Sequence, residues 1–304
     1  MDQTPFISGI WNLTSMKLWR IYLVVAYESQ IPNWLNRSND RIEIVFHRSI
    51  FRNQSHLPVF NSFAIEANLH HISGLSEYYI YFNDDFLLVD QSQVSDFFIF
   101  EVSDSGRINL ASFVVRYDEP YEVPRNLLPK DHDDAFWLNA GIRARLFVEQ
   151  HCNRTDGVKV LGKWHYHTPY TMLKSVMAVL ESNSATRPVL EETWSARFRN
   201  DRNIWAVALT HWFAQCGLQI PAVQRKEIDR ARLNFALDIT RKGDKNNALA
   251  SISKLRHEIS GKGLKFLLVS DETSGNVTRL GLEVEKHVKE FRHSLFPEKS
   301  SFEL

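Results

Sequence analysis

Two adjacent carboxylates, Asp84 and Asp85, close a β-rich run from Tyr78 to Phe82. Paired acids at a strand end suit a hard divalent ion that also holds a diphosphate, because such an ion needs few protein ligands. In open α/β sheets ligands collect beyond the carboxyl ends of strands, which makes this end a site candidate. A solvated Asn83-Asp84-Asp85 turn is the plainer reading of the same residues. Upstream, Ile65, Leu69 and Ile72 recur at helical spacing, and Glu66 and His70 fall four residues apart on a neighbouring, more polar face. Glu66 would then face the strand end; taken alone, it is an ordinary solvated helix acid. Lys265 to Val269 is another apolar run followed by an acid, Asp271, which serves either as a metal ligand or as a turn acid.

Two further groups could act on a phosphate or a hydroxyl. His165 and His167 point the same way in an extended segment, yet no Cys or carboxylate at ligand spacing supports zinc there. Near Pro169 a structural histidine is the plainer reading, although an imidazole with a pKa of about 6.5 can take a proton from a hydroxyl at neutral pH. Arg197 and Arg199 precede an apolar helix. A guanidinium fork binds phosphate oxygens through two hydrogen bonds, whereas the bland role is a surface cation.

The elements that must carry these groups alternate between strand and helix patterns. Arg20–Ala26 reads as a buried parallel strand and Arg41–His47 as a second strand. Asn61 is the expected N-cap of the Glu66 helix, with Phe60 and Ile65 as a hydrophobic staple and Gly74 as a stop. Residues 97–126 suggest strands or a hairpin (FFIFEV, then ASFVVRY) turning at Ser105-Gly106, and residues 119–134 a surface excursion. Helices are expected over 135–150 and over 171–181, the latter with Met172, Leu173, Val176, Met177 and Leu180 on one side. Ile204–Cys216, apolar nearly all round and closed by Gly217, predicts a buried helix. Residues 218–262 read as a helical insertion, and Val284, Val288, Phe291 and Leu295 mark a last helix. We expect one α/β domain over residues 1–304.

Composition narrows the function. The 304 residues are 44% hydrophobic and carry 36 basic and 36 acidic side chains, so a broad nucleic-acid-binding surface is disfavoured while a local phosphate site is not. No apolar run approaches the ~20 residues of a membrane span, and the first residues lack the pattern of a secretory signal. Cys152 and Cys216 give neither a disulfide framework nor a metal knuckle. A cytoplasmic setting is expected.

The segment AIEANLHHISGLSEYYIYFNDD (64–85) resembles the second conserved region of the Stealth family. That family includes bacterial capsular-polysaccharide phosphotransferases and the catalytic subunit of the lysosomal-enzyme N-acetylglucosamine-1-phosphotransferase. The resemblance continues in order through QIPNWLN, HTPYTMLKS, Phe198-Arg199, KFLLVSDE and the closing FPEKSSFEL, roughly from Ile21 to Leu304. The chain departs from the family pattern at Asn68 (usually His), His71 (usually Arg), Arg202 and Asn203 (usually acids) and Ser270 (usually Asn). The family's opening strand motif is not found before Ile7.

The resemblance implies a GT-A-like nucleotide-sugar-binding sheet flanked by helices, with a helical C-terminal part. It also implies transfer of hexose- or N-acetylhexosamine-1-phosphate from a UDP-type nucleotide sugar to a saccharide hydroxyl, building capsular or exopolysaccharide. On this reading Glu66, Asp85, His167 and Arg199 are catalytic, and Asn68, His70 and Asp84 bind substrate. Asp85 and Asp271 would hold Mg²⁺ or Mn²⁺. The partners are a nucleotide-sugar donor and a saccharide acceptor, with no nucleic acid and with peripheral association with membrane-bound capsule machinery. A nucleotide-sugar glycosyltransferase is one alternative. A truncated, inactive saccharide- or nucleotide-binding relic is another, favoured by the missing opening strand and the departures at Asn68, Arg202, Asn203 and Ser270.

Overall fold

A computed structural model describes residues 20–84, 86–90, 97–102, 108–112, 136–151, 169–217, 235–238, 252–253, 266–270, 286–287, 289–291 and 293–304. In chain order the elements are β1 (Ile21–Val25), β2 (Ile42–Phe46), α1 (His47–Ile50), α2 (Ser62–Glu66), β3 (Tyr78–Tyr81), β4 (Phe86–Leu88), β5 (Phe98–Val102) and β6 (Ile108–Ser112). They continue as α3 (Phe136–His151), β7 (Tyr170–Leu173), α4 (Lys174–Ser182), α5 (Arg187–Trp194), α6 (Ala206–Gly217), β8 (Phe235–Asp238) and β9 (Phe266–Ser270). The class is mixed α/β, as the alternating patterns require.

β1 and β2 pair in parallel from Ile21–Ile42 to Val25–Phe46, within a residue of the expected bounds. β3 runs antiparallel to β7, so Tyr81 lies opposite Tyr170. β9 is central in its sheet, antiparallel to β4 and parallel to β8. β5 and β6 form an antiparallel hairpin.

Two expectations are corrected. The stretch from Thr171 to Glu181 does not begin as a helix: its first residues belong to β7, all four buried, and the helix starts only at Lys174. Tyr170 and Thr171 favour a pleated, packed surface, and pairing with β3 overrides the helical spacing that continues behind them. Second, the stretch read as a helical insertion contains β8, which finds its partner in β9. The hairpin expected over 97–126 is present, its return strand Ile108–Ser112 taking in the first two residues of ASFVVRY; residues 113–117 lie outside the described residues. The short β4, buried on every residue, was not expected, because three residues are too few to show a period.

The largest core cluster joins α3, β7, α4, α5 and α6 through residues such as Phe147, Met172, Leu180, Leu190 and Ile204. α6 is buried from its first residue, as expected for a helix that is apolar nearly all round. A second cluster packs β2 and α1 under α2, with Val45, Ile50, Ala64 and Leu69. A third seats Phe302 against Leu35, flanked by Ile21, Ile42 and Trp34.

That third cluster explains the closing segment. Asn36 N–H donates to the Phe302 carbonyl at 2.8 Å, and Leu304 N–H donates to the Trp34 carbonyl at 2.8 Å. The last residues therefore strap the QIPNWLN segment onto the β1–β2 sheet. Phe302 is only 8% exposed. Truncating it to alanine is expected to lower stability by about 3 kcal/mol, read as an earlier midpoint in urea.

Candidate functional site

The site is built on a short helix and one loop. Asn61 caps α2, its Oδ1 accepting from Phe63 N–H at 3.1 Å, as expected. Phe60, expected to staple onto Ile65, is instead 57% exposed and stacks on Phe198 at 5.5 Å. α2 then breaks after Glu66. Asn68 Nδ2 donates to the Ala64 carbonyl at 2.8 Å and occupies the acceptor that its own backbone N–H would use in a continuing helix. The Asn68 N–H turns to Ile65 at 3.0 Å, and residues 69–71 continue as a 3₁₀ turn. Gly74 ends the segment with φ +74°, a conformation that costs a glycine little.

The break separates Glu66 from His70, which were expected on one polar face. Both are buried, and they meet different partners. Glu66 Oε1 accepts from the Tyr81 hydroxyl at 3.3 Å, while Oε2 is buried without a well-formed hydrogen bond. Burial pushes the Glu66 carboxyl up from its ordinary 4.5 to about 7. The nearby Arg199 charge and hydrogen bonding with Tyr81 and Trp205 pull the other way and only partly offset burial.

Arg199 comes from the loop between α5 and α6. Its Nη2 donates to Ser62 Oγ at 2.6 Å, and its guanidinium lies 5.1 Å from the centre of the Phe63 ring. The loop is docked on α2 by buried amides. Asn61 Nδ2 donates to Asn203 Oδ1 at 3.0 Å and to the Ala196 carbonyl at 3.2 Å, and Phe60 N–H donates to the Arg197 carbonyl at 2.8 Å. Asn203, one of the departures from the family pattern, is thus a fully buried strut.

Tyr81 links this pair to the end of β3. Burial and then the Glu66 charge push its hydroxyl well above the usual range, and Asp84 adds to the shift. Asp84 itself is exposed. The structure therefore brings Glu66, Arg199 and the Asp84 end of β3 to one locality. Pro169 enters β7 at that same end of the sheet, because Tyr170 pairs with Tyr81. Asp85, His165, His167 and Asp271 lie outside the described residues.

Asn68 and His70, expected to bind substrate, are buried and make internal hydrogen bonds. His70 Nε2 and His71 Nε2 each lie 2.8 Å from Glu181 Oε2, and Arg52 pairs with Oε1 at 2.7 Å. Burial and the adjacent His71 hold His70 down to about 4. Burial raises Glu181, but hydrogen bonds from His70 and His71 outweigh it and hold the carboxyl below its ordinary value. Among the described residues, this trio is the group of His, Cys, Asp or Glu side chains arranged to hold a metal ion.

Sequence reasoning missed Tyr81, Asn61–Asn203 as a clamp, and Glu181. Glu181 had a signal: it lies four residues after Met177, on the apolar face of its helix, where an acid demands a partner.

Residues 12–105 match the model for Stealth protein CR2, conserved region 2. This α/β chain thus carries the Stealth conserved region that its own motifs indicated. An exopolysaccharide phosphotransferase of Streptomyces coelicolor is 31% identical over 70% of this chain, an alignment covering 32% of that relative. A capsular polysaccharide phosphotransferase of Streptococcus pneumoniae is 29% identical over 94% of this chain and 81% of its own length. The human N-acetylglucosamine-1-phosphotransferase subunits alpha/beta are 45% identical over 26% of this chain and 6% of their own length. Among the described residues no helix is long and apolar enough to cross a membrane.

The shifted Glu66 has a measurable signature. Its folded pKa lies above the ordinary value, so the folded chain holds the proton more tightly than the unfolded one. That contribution is fully present below pH 4.5 and is lost as pH rises towards 7. Relative to Glu66→Gln, the unmodified chain should lose up to about 3 kcal/mol between these limits. Urea midpoints of both proteins measured across this range check it; parallel profiles would refute it.

Proposed function

We propose that this chain transfers a sugar-1-phosphate from a nucleotide sugar, UDP-linked in the simplest case, to a hydroxyl of a saccharide. The observation that carries the reading is the buried Glu66 carboxyl beside the exposed Arg199 guanidinium, at the strand end that presents Asp84. The relatives' names, which are those of polysaccharide phosphotransferases, support the same reaction class. The sheet is read as GT-A-like on the strength of the family motifs, with the donor at the end of β3.

The acceptor hydroxyl oxygen attacks the phosphorus nearest the sugar of the donor. A new P–O bond forms as the bond from that phosphorus to the bridging oxygen breaks, and the nucleoside monophosphate leaves. The product is a phosphodiester, and the sugar's anomeric C–O bond stays intact. His167 takes the hydroxyl proton. Arg199 forms charge-assisted hydrogen bonds to the phosphoryl oxygens as negative charge builds there. Glu66, able to hold or release a proton near neutrality, positions the acceptor hydroxyl.

Asp84 and Asp85, with Asp271, would hold Mg²⁺ or Mn²⁺. Asp84, the described member of this set, is an exposed carboxylate and offers the oxygen donors that a hard cation takes. When bound, such an ion neutralises charge on the diphosphate. The remaining contribution of the protein is positioning and electrostatic stabilisation.

The test incubates the protein with UDP-N-acetylglucosamine or UDP-glucose and an oligosaccharide acceptor, and identifies the released nucleotide. UMP in step with phosphodiester product is the expected result; UDP would make the protein a glycosyltransferase instead. Arg199→Ala should fold and lose turnover by about 10²- to 10³-fold. His167→Ala should lose about 10²-fold or more. Wild-type-like turnover in either variant removes that residue from the mechanism.

A further inference from the structure

The Glu181 cluster is independent of the phosphoryl-transfer reading and has a geometry that asks for a cation. His71 Nδ1 lies 2.7 Å from the Ile50 carbonyl, which can only accept, so this nitrogen carries a hydrogen. In a neutral ring, His71 Nε2 then presents a lone pair to Glu181 Oε2 at 2.8 Å. Two lone pairs at that distance repel, and only a proton or a metal ion between them turns the contact into an attraction. His70 Nε2 approaches the same oxygen at 2.8 Å, its ring centre 4.0 Å from that of His71, and its Nδ1 has no partner among the described residues.

The surroundings resemble those of built metal sites. The His71 Nδ1–H bond to a backbone carbonyl fixes its tautomer so that Nε2 is the free donor, the usual outer arrangement for a ligating histidine. Arg52 anchors the far oxygen of Glu181 and leaves Oε2 to the two rings. Two cavities of about 460 and 330 Å³ open beside the cluster, both bordered by Arg52, His71 and Glu181, so a water molecule can complete the coordination.

We infer that His70 Nε2, His71 Nε2 and Glu181 Oε2 form a binding site for a borderline divalent cation of the Zn²⁺ class. Two imidazole nitrogens and one carboxylate oxygen favour such an ion over Mg²⁺. Ligands at about 2.0–2.1 Å in tetrahedral geometry stand roughly 3.3 Å apart, so the 2.8 Å contacts open by about half an ångström on binding. The ion ties the 3₁₀ turn after α2 to α4. His71 is central: with the arginine usual at this position in the family, Glu181 would meet a fixed cation, and the imidazole leaves a place for a metal.

The test is titration of the tag-free, metal-stripped full chain with Zn²⁺ by calorimetry, and with Co²⁺ by visible absorption. The expected result is one equivalent bound, with intense Co²⁺ bands typical of four-coordinate geometry and no competition from millimolar Mg²⁺. His71→Arg retains a cation for Glu181 and should fold without metal, yet lose affinity at least ~10-fold; His70→Gln and Glu181→Gln should lose it too. If the wild-type chain takes up no stoichiometric Zn²⁺, a proton fills the gap and the inference fails. Equal binding by wild type and folded His71→Arg would place the metal elsewhere and also overturn it.

Discussion

The geometry of the candidate centre rests on one buried pair of amides. Asn61 and Asn203 are 142 residues apart in sequence, and their side chains meet at 3.0 Å with no solvent to substitute for either. Asn61 also caps α2, so one side chain both starts the helix that ends in Glu66 and holds the loop that carries Arg199. The net worth of such a hydrogen bond is only about 1 kcal/mol, but losing one partner strands the other at a cost of about 1–3 kcal/mol. The asymmetry fixes the loop, and the loop fixes where the guanidinium can lie.

From that constraint follows the electrostatic character of the centre. Glu66 sits where burial penalises its charge more than Arg199 compensates it. A group poised in this way can exchange a proton near neutral pH, which a solvated helix acid does not do. A few residues on, Asn68 stops the helix and hands the two histidines to Glu181 instead. One asparagine therefore divides a continuous sequence motif into two separate polar environments, each buried and each with its own partners.

The candidate residues stood out in the sequence because their types are unusual in their setting, as with acids at a strand end and an arginine before an apolar helix, whereas the expected shared face of Glu66 and His70 did not form. Strands β1, β2 and β9 and helices α3 and α6 were legible from period and composition. The start of α4 was not, because Thr171 to Leu173 fit the apolar face of a helix and the pleat of a strand equally well, and only the partner β3 decides between them. The break after Glu66 was hidden for a similar reason. The apolar spacing of Ile65, Leu69 and Ile72 survives a tightened 3₁₀ turn, whereas the side-chain hydrogen bond that forces the change leaves no periodic trace. The long-range pair Asn61–Asn203 has no local signature, and Glu181 signals only that it needs a partner, not that His70 is one.

The closing strap has a consequence for biosynthesis. Leu35, almost wholly buried, finds its cover in Phe302, and the two are joined through backbone bonds between the segments around them. On the ribosome, this parallel strand pair emerges well ahead of the segment that covers it, some 265 residues further along the chain, and its apolar surface stays bare over that interval. The nascent sheet therefore waits, exposed to chaperones, for the Phe302 segment to seal it.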